Sequence, residues 1–161
     1  MSEPLPLPEA LLAPIVECAG DTLRSLDADA VPSALRHLQS FDRRGFLHGP
    51  APRQVIKSLT RDEAFKVEVV SRFRGRPDVV ALRDVWDPQQ AIELTERAAG
   101  DGELPLLASM LWALEPPGYE YGLGVVHARH ERSRAEHEEQ QDYDSNESSF
   151  NSSGFHDNNL R

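Results

Sequence analysis

Short apolar runs at helical spacing, each cut off by proline or glycine, constrain this chain more than any other feature. Twelve prolines and ten glycines are distributed through 161 residues, and between them apolar side chains recur every three or four positions. Leu12, Ile15, Val16, Ala19, Leu23 and Leu26 define a first amphipathic helix. Pro32 opens a second, short one with Leu35, Leu38 and Phe41 on its apolar face. Gly45, Gly49, Pro50 and Pro52 then predict an irregular connector over residues 43–52, and Val55, Ile56 and Leu59 a third helix. Thr60 and Glu63 have the spacing of a capping box, which predicts a fourth helix starting at Thr60, burying Phe65, Val69, Val70 and Phe73, and ending at Gly75 and Pro77. A fifth apolar segment holds Val79, Val80, Leu82, Val85 and Trp86. Asp87 and Pro88 cap and open a sixth, with Ala91, Ile92, Leu94 and Ala98. The last core helix carries Leu104, Leu107, Met110, Leu111 and Leu114 and stops at Pro116 and Pro117. Alternation with period two is almost absent, so the expected class is all-α: an irregular bundle of six or seven short helices.

Composition divides the chain. Prolines 4, 6 and 8 make residues 1–8 an extended lead-in, and residues 9–124 form the helical domain. Residues 125–141 are nearly all polar, which suits a solvated helix or the start of a coiled coil. Residues 142–161, rich in Ser, Asn, Asp and Gly, predict a disordered tail. A domain of this size buries enough surface to fold without disulfide or metal. The single Cys18 excludes a disulfide framework and multi-cysteine zinc sites, and with no signal peptide it points to a reducing cytoplasm. No apolar run is long enough for a membrane span.

Catalytic chemistry needs converging polar groups, and the core positions here are apolar. Gly118, Gly122 and Gly124 lack the spacing of a phosphate loop, and no Gly-x-Ser-x-Gly elbow occurs. Cys18, inside the first helix, is expected to be a buried structural thiol. His127, His130 and His137 with Glu131 and Glu136 are expected to be a polar helix that contains imidazoles, not a metal site. No cofactor, metal or small-molecule substrate is indicated, and the expectation is a non-enzyme.

The net charge of −10 opposes general affinity for nucleic acid, but it is segregated. Residues 36–76 hold ten Lys and Arg against four acids, whereas residues 1–35 hold one against six and residues 77–127 two against nine. Candidate nucleic-acid contacts are Arg43, Arg44, Phe46, His48, Arg53 and Lys57: guanidinium groups to clamp phosphate and a ring to stack on a base. The other reading returns Phe46 and Leu47 to the core and pairs the arginines with the acidic helices.

Leu7-Pro8-Glu9, Pro32-Ser33-Ala34-Leu35-Arg36, Asp62-Glu63-Ala64-Phe65, Asp87-Pro88 and the run from Leu111 through Trp112, Ala113, Leu114, Glu115, Pro116, Pro117 and Gly118 to Tyr119 share an order of motifs. Over residues 5–125 this order resembles the N-terminal helical region of actinobacterial NYN-domain proteins, in which a charged coiled coil and a PIN-like NYN domain follow. The resemblance implies an RNA-binding or ribonuclease context. No NYN domain is present in this sequence, so its metal-binding aspartates, and with them nuclease activity, are not carried over. Glu115 stands where the family often has a basic residue. The expected function is a non-catalytic accessory module that contacts RNA through the basic middle segment. The alternative is a protein-interaction module whose partner pairs with the polar helix 125–141.

Overall fold

The computed structural model describes the backbone of residues 7–159; residues 1–6 and 160–161, and the side chains of Arg43, Phe46 and 143–161, lie outside the described set. Most of the expected lead-in therefore falls outside it. The described residues are all-α, an irregular helical bundle as the spacing predicts, and they divide into two compact units, Met1–Val126 and His127–Arg161.

In the first unit a 3-10 turn, Glu9–Leu12, leads into α1 (Ala13–Ser25), with Pro14 in its first turn where no amide partner is lost. α1 buries Ile15, Val16, Ala19 and Leu23 and packs against α2 (Arg43–Leu47), α3 (Ala51–Arg61), α4 (Glu63–Arg74) and α7 (Leu104–Leu114). α7 is apolar nearly all round. That composition suits a central helix, and α7 contacts α1, α4, α5 (Pro77–Val85) and α6 (Ala91–Gly100). Polar groups inside this core are mostly paired: Thr22 Oγ1 donates to Cys18 O at 2.9 Å and Ser109 Oγ to Leu11 O at 3.2 Å. The Gln39 amide donates to the carbonyls of Leu23 and Leu26, both at 3.1 Å, closing the end of α1.

Four expectations need correction. The second helix is a 3-10 segment, Ser33–Leu38; it buries Leu35 and Leu38 but leaves Phe41 38% exposed, because the chain has left helical geometry before that residue. Residues 43–52 are not an irregular connector. Asp42 accepts from Gly45 N at 2.7 Å and caps the five-residue α2, and Pro50, Ala51 and Pro52 start α3. The cap of α4 is Asp62, which accepts from Phe65 N at 3.1 Å, while the Thr60 hydroxyl donates back to Lys57 O at 2.8 Å and Glu63 is the first helical residue. Val80, Val85 and Ile92, grouped with the apolar faces of α5 and α6, are exposed, whereas Val79, Ala91, Leu94 and Ala98 are buried.

The segment after α7 closes the unit against the turn between α5 and α6. Glu115 adopts a left-handed conformation after α7. The indole Nε1–H of Trp86 donates to Pro117 O at 2.9 Å. Gly118 has φ +78°, and a Cβ there would lie 2.4 Å from Pro88 Cβ; one on Gly122 would lie 2.5 Å from the Trp86 ring. α8 (Tyr119–Asn159) begins here and buries Val126.

In the second unit α8 continues without an apolar stripe. Its pairs are local, including Arg134 with Glu131 at 3.0 Å and His137 with Gln141 at 3.0 Å, each worth a few tenths of a kcal/mol. Its helical backbone runs to Asn159, through the stretch whose composition predicts disorder from Asp142. Among the described residues no helix is long and apolar enough to cross a membrane.

Candidate nucleic-acid interface

The basic middle segment occupies α2, α3 and the turns around them. α3 buries Ala51, Pro52, Val55 and Leu59 on one side. This turns Arg53, Lys57 and Arg61 outward, all exposed, at positions i, i+4 and i+8. Each step along this ladder climbs about 6 Å and turns the stripe by roughly 40°. Arg53, 84% exposed, meets Glu9 Oε1 at 3.0 Å. An exposed pair of this kind contributes only about 0–1 kcal/mol, so the guanidinium is releasable to another anion. Lys57 and Arg61 make no ion pair among the described residues.

Lys57 and Arg61 line a groove of about 580 Å³ between α3 and the start of the 3-10 segment, with Ser33, Gln54 and Ser58 along it and Asp62 and Glu63 at one end. Arg44 and His48 lie elsewhere, in a shallower depression with Asp42 and Gly45. The six residues expected from sequence are thus divided. Arg44 and His48 share one depression, Arg53 and Lys57 share a face of α3, and the side chains of Arg43 and Phe46 are outside the described set.

Four residues that the sequence reading did not select lie between or beside these groups. The Phe41 ring lies against Gly45, its Cδ2 3.5 Å from where a Cβ would stand. His37 meets Phe41 edge to face, with ring centroids 6.4 Å apart. His37 Nε2 is 3.0 Å from Gln54 Oε1, and Gln54 enters the groove that holds Lys57 and Arg61. The Arg61 signal was present in the sequence as the four-residue spacing from Arg53 and Lys57. Phe41 gave no such signal, because helical periodicity counted it among core residues.

Three other basic residues are engaged. Arg76 bonds Asp78 at 2.9 Å and stands 5.6 Å from the Phe73 ring centre, Arg24 pairs with Asp21, and Arg72 donates to Ser25. Cys18 is 5% exposed; its thiol points at Val69 O at 3.7 Å, and burial raises its pKa despite the lowering influence of Arg76 and Arg72. That environment disfavours a nucleophilic thiolate. Among the described residues no group of three His, Cys, Asp or Glu side chains could hold a metal, and His127 lies 3.9 Å from Glu131.

Comparison of the chain with models of known protein families, with curated proteins and with solved structures finds no match.

Proposed function

We propose that the helical unit is a non-catalytic accessory module that contacts RNA through its basic middle segment, in keeping with the resemblance to the N-terminal region of NYN-domain proteins. The observation that carries this reading is the outward ladder of Arg53, Lys57 and Arg61 on α3, with Arg44 and His48 also exposed in the α2 region that packs on α3. Cations held on a rigid helix face meet a phosphate backbone without ordering a loop first. The acidic segments on either side keep a polyanion off the rest of the surface. The single unpaired Cys18 is in keeping with a reducing cytoplasm.

A second reading, a protein-docking module without nucleic-acid affinity, is favoured by the exposed Val80, Val85 and Ile92 on α5 and α6. Its partner could also pair with the polar helix 125–141. Fluorescence anisotropy of a labelled single-stranded RNA separates the two. The RNA reading expects binding at low salt that weakens at physiological salt and is lost when Arg43, Arg44 and Arg53 are changed to Glu. No binding at low salt leaves the docking module.

A further inference from the structure

We propose that Phe41 and His37 form a base-stacking platform linking the two basic groups, so that the RNA this module takes is single-stranded rather than duplex; this rests on the RNA reading above. Isolated exposed apolar residues are ordinary. Phe41 differs from the others through its neighbours. Among the described residues the exposed large aromatics are Phe41 and Tyr121, and of the two Phe41 lies within the basic middle segment. The Phe41 ring stands against Gly45, beside Arg44, and meets the His37 ring edge to face. From His37 the contact continues through Gln54 to the groove of Lys57 and Arg61. Cations, two rings, an amide and further cations therefore follow one another across α2, the 3-10 segment and α3.

That order suits an extended strand with its phosphates on the cations and an unpaired base against a ring. Gln54 and His37 present donors and acceptors beside the rings, where a base edge can be hydrogen-bonded. A duplex keeps its bases stacked inside and would use only the cations. The local structure supports the platform without depending on it. Leu35 and Leu38 anchor the 3-10 segment in the core, and Asp42 caps α2 immediately after Phe41.

The test is anisotropy with single-stranded and duplex RNA of the same sequence, using the full chain and the variants Phe41→Leu, Phe41→Ala and His37→Ala. Phe41→Leu keeps an apolar side chain and removes the π-face, so it remains informative if Phe41→Ala unfolds. Loss of one stacked base weakens single-strand binding by roughly five-fold or more. The expected result is that loss in Phe41→Leu and in His37→Ala, equal at low and physiological salt, with duplex binding unchanged and the melting temperature retained. Single-strand affinity equal to that of the parent in Phe41→Leu overturns the platform while leaving the RNA reading standing. So does a parallel loss for duplex. A parent chain that binds neither RNA form overturns both.

Discussion

Thr95 is almost fully buried in α6, and its hydroxyl is left without a hydrogen-bond partner among the described residues. Leaving such a group unpaired costs about 1–3 kcal/mol, and valine has nearly the same shape. Thr95→Val is therefore expected to raise stability by about 1 kcal/mol, read as a higher urea midpoint with an unchanged slope; a lower midpoint contradicts it. Cys18 sets a pH dependence. Burial raises its folded pKa above the ordinary value of 9.0, so the neutral thiol is the form the fold favours. That contribution is complete below the unfolded pKa and is lost as pH climbs through the higher folded value. The melting temperature of the parent should consequently fall faster than that of Cys18→Ala as pH rises above 9.0. Parallel curves would sink the assignment. At this scale the sequence revealed Cys18 but hid Gly118 and Gly122. Their need for glycine arises from Pro88 and Trp86, some thirty residues away, and no local pattern carries it.

At the scale of elements, periodicity located the long helices because burial repeats every three or four residues along α1, α3, α4, α6 and α7. It failed where one side chain decides. The Asp42 carboxylate caps α2, which packs on α1 and α3, in a stretch that carries ordinary loop signals. The Thr60 and Glu63 spacing matched a capping box, yet the hydroxyl is already used on Lys57 O and Asp62 takes the role. This gives a direct comparison. Asp62→Ala is expected to cost about 1 kcal/mol of stability, whereas Thr60→Ala, which removes an exposed hydroxyl bond, should change it by less than about 0.5 kcal/mol. The reverse order in chemical denaturation would restore Thr60 as the cap. Half of the candidate interface was legible in the same way. Arg53 and Lys57 stand out as charges, whereas the joining of Phe41, His37 and Gln54 depends on how the 3-10 segment crosses α3, which no spacing rule encodes.

For the whole molecule the central feature is charge segregation: a chain of net charge −10 concentrates its cations between residues 36 and 76. On the RNA reading, phosphate contacts with these cations predict binding that is sensitive to salt. The apolar exposure on α5 and α6 predicts the opposite, a partner whose affinity changes little with ionic strength. The most direct measurement is the slope of log affinity against log salt for single-stranded RNA, in the parent and in a variant with Arg53, Lys57 and Arg61 all changed to Gln. Contact with Arg44 and the three α3 cations predicts a slope of about −3. Neutralising the α3 ladder should reduce its magnitude by about 2. A parent slope near zero, or a slope that the triple variant leaves unchanged, would contradict the assignment of the α3 face to RNA.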